Sequence, residues 1–452
     1  MDDTLKITMA EFAARRQLLA EKMTPMSAAI LPGAKTKARN ADADYPFRQE
    51  SNFHYLTGFP ESLACMVLRK NQTGVLEYIL FCEAPDPEAE KWTGKRIGPK
   101  GAIEFYGANK AYANTELDQS MPELLRGYDH LYYSLGECEQ WDKRVIAWKK
   151  PRSLDKRKSE DLPRQWAELK PLIQEQRLIK SQDEIAVIRR VCQLSAKAHV
   201  ELMKQCQPNQ REYELEALFL HECYRKGCRA MAYTPIVGGG VNACTLHYTQ
   251  NDQLLKSGDL VLIDAGGEYQ NYAADITRTI PVNGQFTPEQ KAIYELVLKA
   301  QVAAIEIVRP NLRWDTLQTT LVKILVEGLV ALGILSGEIE SLITTKAYQR
   351  FYVHSSGHWL GLDVHDAGDY KRDGEYRLLE PGMVFTIEPG IYITPGEPGV
   401  DKRWWGIGVR IEDDILVTET GYEVLTEEAP KTVKAIERIM NLANQSRRQH
   451  AM

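Results

Sequence analysis

The sequence predicts an α+β fold in two parts, a smaller α/β N-terminal domain over residues 1–178 and an α+β domain over residues 179–452. Three observations predict it. Residues 149–161 form a highly charged stretch broken by one proline, the composition of a surface connector. Helical periodicity with marked caps takes over after residue 178. Beyond residue 230, apolar runs punctuated by glycine read as mostly antiparallel strands.

The elements follow in order. The opening stretch MDDTLKITMAEFAARRQLLAEKM mixes acids into a helical pattern, without the apolar core or small-residue cleavage site of a signal peptide. No run of about 18 apolar residues occurs, so no membrane-spanning helix is expected. Glu77–Cys82 and His130–Leu135 read as strands. Ser181-Gln182-Asp183-Glu184 has the S-x-x-E form of a capping box and opens a helix that runs to Gln205. A second helix covers 210–226, with Gly227 just past its end. Thr287-Pro288 places a cap residue before a proline at the first helical position, opening a third helix that stops before Pro310. A fourth spans 314–332, and strands are expected over 232–248, 259–282 and 383–426.

Composition narrows the function classes. The net charge of −6 gives no basic footprint for nucleic acid and no polybasic patch for a membrane. The eight cysteines are scattered and form no C-x-x-C pair. In a chain of this size that points to reduced thiols and a cytoplasmic location, and away from a structural thiolate-zinc site.

One stretch resists a purely structural reading. Asp264 ends the run Leu260-Val261-Leu262-Ile263, which looks buried on both faces, and a lone carboxylate there is costly to desolvate. A second acid, Asp275, follows. Asp264 is expected to end one strand of a hairpin and Asp275 to lie on its partner, after a turn at Gly266-Gly267. The pattern recurs later in the chain. Gly258 and Gly382 each precede an apolar strand, an acid falls six residues on (Asp264, Glu388), a glycine stands two further (Gly266, Gly390), and a return strand carries a second acid (Asp275, Glu412). A histidine in an apolar setting, His247 or His365, stands ahead of each unit. Two such half-domains packed face to face bring four acids to one line. Those acids cannot all ionise without compensation. Divalent cations, rather than an arginine, are the expected counter-charge for Asp264. Oxygen-rich sites with one imidazole suit catalytic Mn, Co, Fe or Zn. The imidazole is sought between His354 and His365, where His354, His358 and His365 account for three of the nine histidines in the chain; the Gly and Ser content there reads as a loop feeding a strand.

In this order and setting Asp264, Asp275, His358, Glu388 and Glu412 resemble the five ligands of the dinuclear "pita-bread" metallopeptidases, which include methionine aminopeptidase, prolidase and aminopeptidase P. The motifs are D-A-G-x-E…A-D-I-T-R-T, H-x-x-G-H-x-x-G-L-x-V-H-D, E-P-G-I-Y and G-I-G-V-R-I-E-D-D. The stretch from Arg39 to Phe59, with Glu90-Lys91-Trp92-Thr93-Gly94, is similar to the N-terminal domain of bacterial aminopeptidase P, so the likeness covers nearly the whole chain. Ser355 stands after His354 where bacterial members usually have glycine, and it touches no ligand position.

The resemblance implies a creatinase/methionine aminopeptidase-like catalytic domain. It implies two divalent ions, manganese first with cobalt or zinc as alternatives, holding a bridging hydroxide that removes the residue ahead of proline from peptides of Xaa-Pro N-terminus. Prolidase, acting on Xaa-Pro dipeptides, shares all five ligands. A non-catalytic peptide-binding module of the same fold is the more distant alternative. The resemblance further implies that Glu388 both binds metal and shuttles the proton to the leaving nitrogen. It places His247, His354 and His365 around the scissile bond, with His365 or His247 donating to the oxyanion. Arg410 shares the Glu412 face of a strand and anchors substrate or forms a salt bridge to a ligand acid; Arg278 points away and is structural. Tyr392, Trp404 and Trp405 are candidates for the rim of an apolar slot for the proline ring. Related enzymes are often homodimers or homotetramers, and Trp92 is the candidate to reach a neighbouring subunit's site.

Overall fold

The computed structural model describes residues 5–149 and 162–450. The expected connector at 149–161 therefore lies, apart from Lys149, outside the described residues. The chain divides into two compact units, Met1–Arg177 and Leu178–Met452.

The first unit is built on a six-stranded mixed sheet. In spatial order its strands are Lys110–Ala113, Leu76–Cys82, Cys65–Lys70, Ser27–Pro32, His130–Tyr132 and Gln165–Ala167. The three central strands pair antiparallel and the outer strands add in parallel. Each parallel addition needs a crossover, and helices such as Leu117–Leu125 and Glu139–Trp148 supply them. One face is sealed by a cluster that includes Ile30, Val67, Phe81, Leu125 and Trp148. The strand expected over His130–Leu135 is shorter, ending at Tyr132.

In the second unit the helices form where local signals place them. Ser181 and Glu184 close a reciprocal capping box on Gln182–Gln205, with the Ser181 N–H donating to Glu184 Oε2 at 3.0 Å and the Glu184 N–H to Ser181 Oγ at 3.4 Å. Glu212–Tyr224 follows, and beyond it Gly227 takes φ +103°. Pro288–Glu306 is capped by Thr287, and Asp315–Ala331 completes the set. No described helix is long and apolar enough to cross a membrane.

The repeat read in the sequence has a structural counterpart, in which each copy is a hairpin nested on a hairpin. In the first copy Leu260–Asp264 pairs with Thr277–Pro281, and between them Gly267–Tyr269 pairs with Tyr272–Ala273. In the second, Val384–Ile387 pairs with Asp413–Val417, and between them Gly390–Ile393 pairs with Ile407–Arg410. All these pairs are antiparallel. Each acid sits at or beside a junction between inner and outer hairpin.

Two expectations are corrected. The turn is not at Gly266-Gly267 but at Gln270-Asn271, which take φ +52° and +66°, a conformation that Asn tolerates well. Gly266 answers a different demand: a Cβ there would lie 1.7 Å from the Ala274 carbonyl oxygen, so only glycine lets the strands close at the bulge. The strand expected over 232–248 runs only from Ile236 to Gly239, and a 3₁₀ turn, Gly240–Cys244, replaces the rest.

Behind the first hairpin lies His199, 1 % exposed on the long helix, with Nε2 2.9 Å from the Ala265 carbonyl oxygen. That acceptor fixes a proton on Nε2, and burial pushes the pKa down from 6.5 to about 4. Because the folded value lies below the unfolded one, the unfolded chain binds the extra proton between them. Stability is full above pH 6.5 and falls as pH drops toward about 4, by at most about 3 kcal/mol. Unfolding free energies measured across that window should decline more steeply for the wild type than for His199→Gln, whose amide can still donate to Ala265.

Candidate metal centre

All four acids, the three histidines of the 354–365 segment, His247 and Arg410 line one cavity of about 810 Å³ in the second unit. The two hairpin copies meet there along Thr277–Thr279 and Arg410–Glu412. The Glu412 N–H donates to the Thr277 carbonyl at 3.1 Å, and Thr277 Oγ1 donates to Glu412 Oε2 at 2.7 Å. Thr279 Oγ1 exchanges hydrogen bonds with the backbone of Arg410. This joint is what turns acids far apart in sequence toward each other.

His358 comes from an irregular loop held to the second copy. The only pairing in the expected strand is the single bridge Trp359↔Phe385 among the described residues. A Cβ on Gly357 would lie 1.8 Å from the Thr386 carbonyl oxygen, so the loop sits on the strand backbone itself. His358 Nδ1 faces the Trp359 carbonyl at 3.1 Å, which places a proton there and turns Nε2 toward Asp275 Oδ2 at 3.4 Å and Glu388 Oε1 at 3.9 Å. Ligand atoms of Asp275, His358 and Glu412 lie within 4.8 Å of one another.

The electrostatics follow from four carboxylates sharing one buried guanidinium. Burial raises Glu412 well above the carboxylate range, and the charges of Asp275, Glu388 and Asp264 add to it. Burial lifts Glu388 to about 7, against the pull of His358 and Arg410. Asp264 is raised by burial in spite of Arg410. Burial alone would raise Asp275, but the His358 imidazole holds it below its ordinary value. Burial disfavours the His358 cation, yet Asp275 and Glu388 outweigh it and carry the ring to about 9. His354 is pushed the other way, to about 4, by burial and then by Arg410. An oxygen-rich, charge-surplus donor set with one imidazole fits a hard or borderline divalent cation.

The expectation that no arginine balances Asp264 is corrected, and of the two readings of Arg410 it is the salt bridge to an acid that forms. Arg410, 3 % exposed, donates from Nη2 to Asp264 Oδ2 at 2.5 Å. Its Nη1 donates to the Tyr392 hydroxyl at 2.9 Å and its Nε to Thr277 Oγ1 at 3.2 Å. Arg278 is buried on the other side, tied to Asp413 and to the carbonyls of Glu412 and Ala429.

The expected aromatic rim is also corrected. Tyr392 is 5 % exposed and lies beneath the site, its hydroxyl between Arg410 and His354 Nε2, the latter at 2.8 Å. Trp404 is buried and the Trp405 indole N–H donates to the Val400 carbonyl; neither lines the cavity. Trp314, Tyr370 and Tyr376 line it instead, with Leu246 and Val364. Trp92 stands 89 % exposed in the first unit on Pro87–Thr93. Tyr233 went unread in the sequence: its hydroxyl lies 2.5 Å from both Asp264 Oδ1 and Asp275 Oδ1. No local pattern marks it. Thr277 was readable, two residues past Asp275 and so on the same side of an extended chain.

Residues 186–419 match the model for metallopeptidase family M24, and residues 12–132 match the aminopeptidase P N-terminal domain. The Xaa-Pro aminopeptidase of Escherichia coli is 44% identical over 435 residues, covering 96% of this chain and 98% of that one. The human Xaa-Pro aminopeptidase 3 is 36% identical, covering 89% of this chain and 78% of that one. Pseudomonas aeruginosa aminopeptidase PepP superposes with a TM-score of 0.96 at 47% identity, over 98% of this chain and 100% of that one. A zinc-substituted E. coli aminopeptidase P in complex with product superposes at 0.94 with 44% identity, over 97% and 99%.

If the acid cluster is a metal site, a chelator should lower the melting temperature and metal should restore it. Glu412→Gln tests the assignment. A neutral amide resembles the protonated acid of the metal-free state, so the metal-free melting temperature should stay close to wild type. The rise on adding metal should be lost, read by calorimetry and by metal content after dialysis.

Proposed function

The chain belongs to metallopeptidase family M24, with an aminopeptidase P N-terminal domain ahead of the peptidase domain, and from that premise we propose how its buried acids act. It is a metal-dependent hydrolase that removes the N-terminal residue from peptides with proline in the second position. The observation that carries the reading is the convergence on one cavity of four carboxylates, three buried and Glu388 partly so, with four imidazoles of which His358 lies among the acids. Asp264, Asp275, His358, Glu388 and Glu412 would hold two divalent ions, manganese by preference, with cobalt or zinc compatible with the same donors. When bound, the metal supplies Lewis acidity, polarising the scissile carbonyl and acidifying water.

The remaining steps belong to the side chains. Glu388, which faces the cavity beside His354 and His358, would take a proton from water and pass it to the leaving proline nitrogen. His365 packs edge-on against His358 with ring centroids 4.2 Å apart, and His365 and His247 both face the cavity. Either can donate to the oxygen that gains charge in the transition state. His354 stands 3.5 Å from Glu388 Oε2, near enough to orient that carboxylate as it changes protonation. Arg410 and Tyr392 hold Asp264 and His354 in place from below. The proline ring, which removes the amide N–H, is received by the apolar wall of Trp314, Tyr370, Leu246 and Val364 rather than by Trp404 and Trp405. Eight free thiols support a reducing compartment, the cytoplasm. The exposed Trp92 supports a homodimer or homotetramer in which it reaches a neighbouring copy's site.

A tripeptide such as Arg-Pro-Pro should be cleaved at least as fast as Xaa-Pro dipeptides; turnover confined to dipeptides would identify a prolidase instead. Glu388→Gln should lower kcat by roughly 10²–10⁴-fold, the range of a lost general acid-base. Single-turnover kinetics on metal-refilled enzyme reads the chemical step directly.

A further inference from the structure

Glu212 opens the helix Glu212–Tyr224 and is completely buried. Its partners are neutral donors, and they occupy both oxygens. Oε1 accepts from the Gly239 N–H at 2.7 Å and from Asn242 Nδ2 at 3.0 Å. Oε2 accepts from the Tyr248 hydroxyl at 2.8 Å and from the Gln253 N–H at 2.9 Å. The Glu212 backbone N–H also donates to the Gln253 carbonyl, at 3.0 Å. Four hydrogen bonds to one carboxylate make burial of its charge tolerable.

The four donors share one feature. They are spaced along residues 239–253, the segment that leaves the strand Ile236–Gly239, makes the 3₁₀ turn Gly240–Cys244 and carries His247 to the cavity. Tyr248 is the next residue after His247, and its ring is buried against Ile236, Leu262 and Tyr392. His247 itself is exposed in the cavity wall, so its place is set by the backbone beneath it. One carboxylate therefore clamps the segment before, within and after the turn that presents the histidine.

We propose that Glu212 is a positioning residue for His247, holding the 239–253 segment so that the imidazole meets the substrate in the cavity. The inference rests on the reading of His247 as a donor in the reaction. A group fixed this way needs no reorganisation when charge develops, which is the condition for its stabilising effect. Glutamine at position 212 keeps one acceptor oxygen but turns an N–H₂ group toward the Gln253 N–H, two donors face to face. Phenylalanine at position 248 removes a single donor and leaves the other three, a smaller disturbance in the same network.

The test is a set of double-mutant cycles on metal-loaded enzyme with an Xaa-Pro tripeptide. Glu212→Gln should lower kcat by roughly 10- to 100-fold, the range for loss of a group orienting an active-site residue. Tyr248→Phe should lower it severalfold, and KM and metal content should change little in either. In a His247→Ala background neither substitution should lower kcat further, because the group they position is gone. Equal losses in both backgrounds would overturn the proposal. Should Glu212→Gln not fold, the Tyr248→Phe cycle decides by the same criterion. A His247→Ala enzyme with wild-type kcat would instead remove the catalytic reading of His247, and the proposal with it.

Discussion

Four carboxylates held together out of water constrain everything else in the second unit. Each would be tolerable alone if well hydrogen-bonded. Together their mutual repulsion in a medium of low polarisability is large, and one guanidinium does not cancel it. The fold answers with two kinds of compensation. Permanent donors (Arg410, the Tyr233 hydroxyl and the Thr277 hydroxyl) trim the cost. Protonation covers the rest, since burial and mutual repulsion shift Glu388 and Glu412 toward the neutral acid and the carboxylates hold His358 as a cation.

The nested hairpins explain how the acids reach such positions. A regular strand sends alternate side chains to opposite faces, so a pair of acids on one strand cannot easily share an ion with a pair on another. At a junction between inner and outer hairpin the ladder is interrupted, and the side chain there can be re-aimed. Both copies use that irregularity. Gly266 and Gly357 serve the same end from different places, since each allows a backbone approach that no other residue permits.

Sequence carried a good part of this. The helix caps were legible because a capping box is a contact over three residues, and the same contact forms in the structure. The acids were legible because a carboxylate closing an apolar run is anomalous in itself, and its repetition at matched spacing from glycine removed coincidence. What failed was long-range or ambiguous. Arg410 reads in sequence as a substrate anchor or a salt-bridge partner of an acid, and it pairs with Asp264, 146 residues away; Tyr233, 31 away, carries no such signal. The glycine pair at 266–267 drew the turn to itself because turns and close backbone approach both select glycine, and only tertiary contacts separate the two causes. Trp404, Trp405 and Tyr392 read as a rim because aromatic residues near a site are indistinguishable in sequence from aromatic residues beneath it.

The junction that carries Glu412, and the strand Asp413–Val417 after it, are fastened by residues 429–431. Arg278 ties Asp413 and the Glu412 carbonyl to the carbonyls of Ala429 and Pro430, and Lys431 adds its ammonium to Asp413 at 2.7 Å. Synthesis delivers Asp264 and Asp275 long before this fastening exists. The Glu412 junction is therefore complete only once residues 429–431 have been made and folded against it. Residues that never face the cavity thus fix the backbone from which one of its acids projects.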